Sequence, residues 1–188
     1  RIIFHQASAE SIWPDGDAND PRGAVEIRYT DPARRGETEK LRYDYLINAT
    51  GPQLRFEMTP GLGPDTGNTL SVCTPDHAAH AFRELQKVIE RLRKGERQTL
   101  VVGTGHGTCT CEGAAFEYAF NVDHELREAG VRELADLVYF TNEPQLGDFS
   151  VGGMVFDYRG QRVSSAEWME SLFRERGVRA ITHAAPTE

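Results

Sequence analysis

The sequence predicts an α/β protein in which a Rossmann-like doubly wound parallel sheet follows an N-terminal β-meander strip. Alternating apolar and polar residues through positions 1–50 are typical of half-buried strands. From about position 75 the apolar residues recur at helical spacing instead. Residues 98–141 then predict a strand, a glycine turn, a helix and a strand, which is the βαβ unit of parallel sheets.

Composition supports a globular chain and argues against one class of partner. The 188 residues are 39% hydrophobic, which is enough for a packed core. With 29 acidic against 21 basic residues the net charge is −8, which repels a phosphate backbone, so nucleic acid is not an expected partner. No apolar stretch approaches the roughly 18 residues of a spanning helix. Because the chain starts at Arg1 without a leader, we expect it to be part of a longer polypeptide.

The first fifty residues predict a meander of three strands. The predicted strands cover residues 1–4, 24–29 and 41–47, because each is apolar or alternates apolar and polar side chains. Two stretches rich in charged residues, proline and glycine, at 14–21 and 31–36, separate the strands and predict solvated turns.

A stretch rich in glycine and proline at 51–72 predicts an irregular segment that crosses between two domains. We therefore assign residues 1–52 to a β-rich first domain, 53–74 to a crossing linker and 75–188 to a second dinucleotide-binding domain. The second domain is expected to be incomplete at its C-terminus, because its third strand is predicted only just before the chain stops.

The second domain is predicted to begin with an amphipathic helix at 75–94, followed by Gly95 as its C-terminal cap. The elements predicted after it are a strand at 98–102, a helix at 112–129 ending at Gly130, a strand at 136–141, a helix from Ser164 or Ser165 to 176 capped by Gly177, and a strand at 178–182. The connection 142–163 is unusually long and glycine-rich, so we expect a functional or mobile loop there.

The glycine turn after the first strand of this domain carries part of a dinucleotide-binding fingerprint. Gly103-x-Gly105 would let the backbone approach a pyrophosphate, which a helix N-terminus favours. The third position of the fingerprint is Thr108 rather than glycine or alanine, and no ribose-binding acid is evident, although Glu143 lies just past the next strand. The turn therefore predicts either a degenerate nucleotide site at Gly103 and Gly105 or a tight turn alone.

Three cysteines are too few for a secreted disulfide scaffold, so they indicate either buried thiols or a redox site. Cys109 and Cys111 fall where a helix is predicted to start, and unpaired N–H groups stabilise a thiolate at that position. A structural zinc site would need two further ligands at suitable spacing. His106 and Cys73 are the nearest candidates, and no second paired motif exists, so no metal site is predicted.

Cys73 precedes the predicted helix at 75–94. It is either a redox thiol or a small apolar side chain packed under that helix. Asp76 and His77 lie at the start of the same helix and are interpreted as caps. The alternatives for His77 are plain solvent exposure and a role as a proton carrier.

Four segments together match a known family. They are residues 43–52 (YDYLINATGP), 71–78 (SVCTPDHA), 111–118 (CEGAAFEY) and 140–144 (FTNEP). Together they resemble the sulfide:quinone oxidoreductases, FAD-dependent flavoproteins of the disulfide-reductase-like superfamily. The Ala-Thr-Gly element is shared by the whole superfamily, whereas the two cysteine-bearing segments are more selective. The resemblance covers nearly the full chain and implies an internal fragment.

The resemblance implies a cysteine chemistry. In that family sulfide attacks a cysteine disulfide, a persulfide forms, and the released thiolate passes electrons through the flavin to a quinone. By motif match Cys111 is the catalytic redox cysteine that faces the flavin, and its redox partner is expected beyond residue 188. Cys73 is the second catalytic cysteine, near the flavin ring, with a role in covalent attachment or sulfur handling. Because the family has one cysteine in this turn, Cys109 leaves open which of Cys109 and Cys111 faces the flavin.

The resemblance also implies contacts with FAD. Thr50, Gly51 and Pro52 match the segment that runs past the bound FAD, and Gly103 and Gly105 form the degenerate turn of the second domain. The main Gly-x-Gly-x-x-Gly fingerprint belongs upstream of this chain. The isolated chain is therefore expected to bind FAD weakly and to be inactive. The second domain of the family does not use a nicotinamide cofactor, which fits the degenerate turn.

The partners implied by the resemblance are sulfide and quinone. The parent protein is expected to be a homo-oligomer on the bacterial cytoplasmic membrane, bound through parts absent from this soluble chain. Two alternatives remain open. One is the flavin subunit of a flavocytochrome c sulfide dehydrogenase, which passes electrons to a haem partner. The other is a stand-alone nucleotide-binding module with inert cysteines.

Overall fold

The computed structural model describes residues 2–51, 53–104 and 112–184. The chain divides into two compact units, Arg1–Gln53 and Leu54–Glu188. The first unit contains one antiparallel sheet, whereas the second contains a parallel sheet and a two-stranded hairpin.

The N-terminal unit is a three-stranded antiparallel meander. β1 (Ala7–Trp13) pairs with β2 (Ala24–Tyr29), and β2 pairs with β3 (Thr38–Arg42). The central strand β2 buries Ile27 and Tyr29. The predicted β-meander strip and its central strand are therefore confirmed.

The structure corrects the two outer strands of the meander. The predicted strand at 1–4 is wrong, because residues 2–6 lie outside the sheet and Ile2 is 96% exposed. The predicted strand at 41–47 begins and ends too late, because β3 already ends at Arg42, which pairs with Ala24, the first residue of β2. A strand persists only where a neighbour supplies hydrogen bonds. The Tyr43 backbone N–H still donates to the carbonyl oxygen of Gly23 at 3.0 Å, and the residues past Tyr43 leave the sheet although their alternation favours a strand.

A polar network surrounds the buried ring of Tyr29. The Tyr29 hydroxyl donates to Glu39 at 2.5 Å, and Nδ1 of His5 lies 2.7 Å from the same hydroxyl oxygen. The guanidinium of Arg34 lies over the ring, 3.5 Å from its centroid. The hydrogen bond from Tyr29 holds the pKa of Glu39 below its ordinary value of 4.5, and Arg34 lowers it further.

We expect the N-terminal unit to lose stability as the pH falls through the lowered pKa of Glu39. A carboxylate whose pKa is lowered by folding stabilises the fold above its unfolded-state pKa, and protonation removes that contribution. In Tyr29→Phe the hydrogen-bond donor is gone, so the acid limb of the stability curve should flatten. Denaturant titrations at a series of pH values measure this. Tyr45→Phe, which removes the hydroxyl of an exposed tyrosine, is the matched control. Equal acid limbs in both variants would contradict the expectation.

The C-terminal unit is built on a parallel sheet. Its strands are β4 (Gln98–Gly103), β5 (Ala135–Phe140) and β8 (Arg179–Ile181), in the order β4-β5-β8. α1 (Pro75–Arg93) precedes the sheet, and α2 (Glu112–Glu128) connects β4 to β5. The predicted Rossmann-like α/β class is therefore confirmed. The described residues of this unit also form short 3₁₀ helices at Phe56–Met58 and Arg132–Leu134.

The connection between β5 and β8 contains more regular structure than the sequence predicts. The expected loop at 142–163 contains a hairpin, β6 (Val155–Tyr158) and β7 (Gln161–Ser164), which leads into α3 (Ser165–Arg176). Both residues of the hairpin turn at 159–160 have positive φ, 51° and 78°, which suits the twist of a two-residue hairpin. The loop prediction missed this hairpin because it relied on the glycines.

The helix ends follow the predicted chemistry except at the start of α1. Thr74 caps this helix, because its Oγ1 accepts a hydrogen bond from the His77 backbone N–H at 3.2 Å. The prediction of Asp76 and His77 as caps is therefore wrong, since the His77 amide is the group that is capped. Gly95 and Gly177 take positive φ after α1 and α3, 84° and 62°, as predicted for helix C-termini.

One hydrophobic core lies between the three helices and one face of the parallel sheet. Most of its large buried members come from the helices and from β5: Leu85, Ile89, Leu92, Leu126, Leu137, Tyr139, Met169 and Phe173. The other face of the sheet stays partly open, since Val101 is 59% and Ile181 is 40% exposed. The helices therefore fix the sheet from one side.

A buried ion pair joins α2 to the end of α3. The carboxylate of Asp123 accepts from Nε of Arg132 at 2.5 Å, and Asp123 is 3% exposed. Arg132 also donates to the carbonyl oxygens of Arg176 and Gly177, at 3.0 and 2.9 Å. Arg127 pairs with the same carboxylate at 2.8 Å. Asp123 thus organises the cations that satisfy the C-terminal carbonyls of α3.

Candidate functional site

The carboxyl ends of the parallel strands define the candidate site. β4 ends at Gly103, β5 at Phe140 and β8 at Ile181, and the parallel pairing places these ends at one edge of the sheet. In open parallel sheets ligands bind in the crevice outside this edge. Among the described residues, three buried polar residues follow the strands here, Thr104 after β4, and Thr141 and Glu143 after β5.

Cys73 is exposed just before α1. Its interpretation as a small apolar side chain packed under the helix is therefore wrong. α1 is joined to β4 by residues 94–97 and packs on the sheet through the shared core, so the helix runs back along the strand. The first turn of α1, and Cys73 before it, are therefore expected near the edge where β4 ends.

His77 lies in the first turn of α1, close in sequence to Cys73. Its Nδ1 is buried and has no hydrogen-bond partner among the described residues. The imidazole ring lies against Phe56, with 6.1 Å between the ring centroids. Because buried polar atoms are normally paired, this nitrogen suits a bound ligand or water. His77 therefore remains a candidate proton carrier.

The packing of the sheet explains why residue 103 is a glycine. A Cβ at this position would lie 2.2 Å from Cε1 of Phe140, the residue that faces Gly103 in the β4–β5 register. The glycine is thus required by the packing of the Phe140 ring, whether or not a nucleotide binds. Its presence alone does not decide between the two interpretations of the turn.

We expect Gly103→Ala to destabilise the C-terminal unit by about 1–3 kcal/mol, because the added methyl group overlaps the Phe140 ring and forces it to move. Gly113→Ala in α2 is the matched control, since its Cβ would meet no atom closer than 3.9 Å. That control should be neutral or stabilising by up to about 1 kcal/mol, because alanine favours a helix. Denaturant titration of both variants measures the difference. A Gly103→Ala variant as stable as the parent chain would contradict the close contact between position 103 and the Phe140 ring.

Glu143 lies just past β5, where a ribose-binding acid is expected, but its carboxylate binds a backbone amide in the loop that follows it. The residue is 6% exposed, and its Oε1 accepts a hydrogen bond from the Ser150 backbone N–H at 3.3 Å. A ribose-binding acid instead has to present its oxygens to the ligand. This geometry favours the degenerate form of the nucleotide turn.

Thr50 and Gly51, the predicted FAD contacts, lie exposed in the N-terminal unit. The Thr50 hydroxyl donates to Oδ1 of Asn48 at 2.9 Å. Gly51 has a φ of 77°, and no atom lies within 4 Å of the position that a Cβ would take. The accessible backbone of Gly51 would let a flat group approach closely, and the FAD contacts of these residues stay predictions.

Several predicted site residues lie outside the described part of the chain: Pro52, Gly105, Thr108, Cys109 and Cys111. The roles assigned to them stay predictions. Within the described part, no group of three or more metal-ligating side chains could hold a metal ion. No helix there is long and apolar enough to cross a membrane.

Comparison with known proteins identifies the family. The sulfide-quinone reductase of Aquifex aeolicus (strain VF5) is 32% identical to this chain over 184 residues, which are 98% of the chain. The chain belongs to the sulfide:quinone oxidoreductase family. The X-ray structure of the sulfide:quinone oxidoreductase from the hyperthermophilic bacterium Aquifex aeolicus matches 85% of the chain, with a TM-score of 0.60 and 31% identity. The family resemblance carried by the four sequence segments is therefore confirmed.

The match covers only part of these relatives. The chain spans about a third of their length, 35% of the reductase sequence and 32% of the solved chain. No family model matches the chain. The activity, substrates and partners of a whole sulfide:quinone oxidoreductase are therefore proposals for this chain.

Proposed function

We propose that this chain is an internal part of a sulfide-oxidising flavoprotein that passes electrons through FAD to quinone. The observation that carries the proposal is the 32% identity to a sulfide-quinone reductase across 98% of the chain, a span that includes Cys73 and Cys111. In this proposal residues 1–52 belong to the FAD-binding domain, 53–74 form the crossing linker and 75–188 belong to the second dinucleotide-binding domain.

The second domain is proposed to bind sulfide and its sulfur products instead of a nicotinamide cofactor. Two features of the sheet edge support this. Gly103 is explained by its contact with Phe140, and the carboxylate of Glu143 is used inside its own loop. Glu143, the candidate ribose-binding acid, is therefore committed to its own loop, as expected beside a degenerate nucleotide turn.

Cys111 is proposed to form a disulfide with a cysteine outside this chain. Hydrosulfide attacks one sulfur of that disulfide, so a new sulfur–sulfur bond forms there and gives a persulfide. The disulfide bond breaks, and its electron pair leaves with the other cysteine as a thiolate. Cys111 falls where the sequence predicts the start of a helix, and a thiolate at a helix start is favoured by the macrodipole.

The remaining site residues are proposed to act around the flavin. Thr50 and Gly51 hold its edge together with Pro52. When bound, FAD supplies the two-electron transfer between the cysteine thiols and quinone. Cys73, exposed before α1, takes part in sulfur handling or covalent attachment of the flavin. His77 carries the proton that hydrosulfide releases as its sulfur is oxidised.

The parent protein is proposed to be a homo-oligomer at the surface of the bacterial cytoplasmic membrane, held there by segments outside this chain. Its substrates are sulfide and quinone. Nucleic acid is not a proposed partner, because the net charge of −8 repels it.

Steady-state kinetics of the full-length protein test the proposed function. Sulfide is offered with either a soluble quinone or cytochrome c as the electron acceptor. We expect reduction of the quinone, with a turnover on the order of 10 s⁻¹, the median for enzymes. Reduction of cytochrome c alone would instead favour the flavin subunit of a flavocytochrome c sulfide dehydrogenase. If sulfide is oxidised with neither acceptor, the proposed function fails, and the alternative of a nucleotide-binding module is favoured.

A further inference from the structure

Four basic side chains form a line along the exposed face of α1. They follow one another at intervals of four, four and three residues, which places them on one face of a helix. They are called the basic stripe below, and they are Arg83, Lys87, Arg91 and Lys94. All four are exposed. The helix therefore presents a band of positive charge to its surroundings.

The opposite face of α1 is buried in the core. Leu85, Ile89 and Leu92 on that face belong to the hydrophobic core of the C-terminal unit. A helix that lies in a bilayer interface instead buries its apolar face among the lipids. Because this apolar face of α1 is already covered, a partner of the basic stripe has to be recognised chiefly by charge.

The basic stripe reverses the charge of the chain locally. Residues 83–97 contain six basic and three acidic side chains, a net charge of +3, whereas the whole chain carries −8. Among the described residues, Lys87 alone in the stripe forms an ion pair, with Oε1 of Glu84 at 2.6 Å. An exposed pair of this kind is weak. Most of the positive charge of the stripe is therefore not neutralised by the described residues.

The helix dipole explains only part of this pattern. Cations in the last turn of a helix are stabilised by its carbonyl groups, which accounts for Arg91 and for Lys94 at the C-cap. The effect fades beyond the last turn, and Arg83 and Lys87 lie in the middle of α1. Their placement in line with the other two has to come from something outside the helix.

We propose that the basic stripe binds the anionic headgroups of a lipid bilayer. A cluster of four to eight Lys and Arg side chains on an amphipathic helix is the usual sequence pattern of such binding, and lipid phosphates supply the complementary charge. The inference rests on the proposed location of the parent protein at a membrane surface. There the stripe adds a reversible, charge-dependent contact to the segments outside this chain.

Vesicle binding by the full-length protein tests this without turnover. The stripe variant carries Gln at all four positions, which preserves the helix because glutamine, lysine and arginine have similar helix propensities. We expect it to bind vesicles of phosphatidylcholine and anionic phosphatidylglycerol at least about tenfold more weakly than the parent, since each Lys or Arg near an anionic surface contributes about fivefold. Binding to pure phosphatidylcholine should not change. The difference should shrink as salt is added, because salt screens exposed charges.

Two further variants serve as controls. Four exposed arginines outside α1 are replaced by Gln in the first, which removes the same charge from dispersed positions: Arg35, Arg159, Arg162 and Arg174. The second, Arg83→Lys with Arg91→Lys, keeps the charge of the stripe. Both should bind anionic vesicles like the parent. An equal loss in the dispersed variant and the stripe variant would overturn the proposal, and so would a stripe variant that binds like the parent.

Sulfide-dependent reduction of a soluble quinone, measured on the same samples, separates this inference from the proposed function. A stripe variant that binds anionic vesicles weakly but turns over like the parent supports the inference. If the parent needs the stripe for anionic vesicles but reduces no quinone, the proposed function fails while the lipid contact stands.

Discussion

Cys111→Ala in the full-length protein is expected to lower sulfide-dependent quinone reduction by on the order of a thousandfold or more. Without this sulfur no disulfide forms, so hydrosulfide has no sulfur to attack and no thiolate is released. Removing a residue that takes part covalently in a reaction commonly causes losses of this size. Initial rates at saturating sulfide and quinone measure the effect.

Cys109→Ala is the matched control, since it removes a thiol from the same turn. It should keep the parent rate within a few-fold. The opposite pattern, an inactive Cys109→Ala and an active Cys111→Ala, would exchange the two assignments. Full activity in both variants would contradict a redox role for this turn.

Asp123→Ala is expected to lower the free energy of unfolding of the C-terminal unit by about 3–5 kcal/mol. The substitution leaves Arg132 without its carboxylate in a site where that side chain is only 11% exposed. Removing one partner of a buried pair is costly, because the remaining charge stays desolvated and uncompensated. The loss should also loosen the contacts of Arg132 with the end of α3.

The measurement is a denaturant titration followed by the fluorescence of Trp168 in α3. Trp13→Phe is introduced into every variant, so that the signal comes from the C-terminal unit alone. Asp136→Ala is the control, because its ion pair with Arg179 is more than half exposed on both sides. Exposed pairs contribute about 1 kcal/mol or less. Equal losses in the two variants would contradict the importance assigned to burial.

Local signals in the sequence predict the helices well. The spacing of apolar residues places α1 within one residue of its observed bounds, and Gly95 and Gly177 mark helix ends as expected. Ser164 caps α3 through a capping box with Glu167. These features depend on residues within one or two helical turns of each other, so they can be recognised from the sequence alone.

Features that depend on distant partners could not be predicted in this way. β3 ends at Arg42 because β2 begins at Ala24, which is a matter of register between strands. Gly103 looks like part of a nucleotide fingerprint, but its closest neighbour is the Phe140 ring on the next strand. No local rule links these positions, since they meet only once the sheet has formed.

In the candidate site, too, local features could be predicted from the sequence and features that depend on distant contacts could not. The cysteine-bearing segments are short motifs and indicate the family directly. The sequence suggests Glu143 only as a possible ribose-binding acid, whereas its carboxylate accepts a hydrogen bond from a backbone amide seven positions later, where φ is positive. Nothing in the sequence indicates that Phe149 contacts α2, because that contact forms only once the chain has folded.

The most direct test of the central claim is the anaerobic addition of sulfide to the oxidised, FAD-loaded full-length protein without any acceptor. If the chain belongs to an enzyme that oxidises sulfide through cysteines, the absorbance of the oxidised flavin should disappear on mixing and return when quinone is added. If sulfide leaves the flavin oxidised while NADH reduces it, the second domain binds a nicotinamide cofactor and the proposed sulfide chemistry is contradicted.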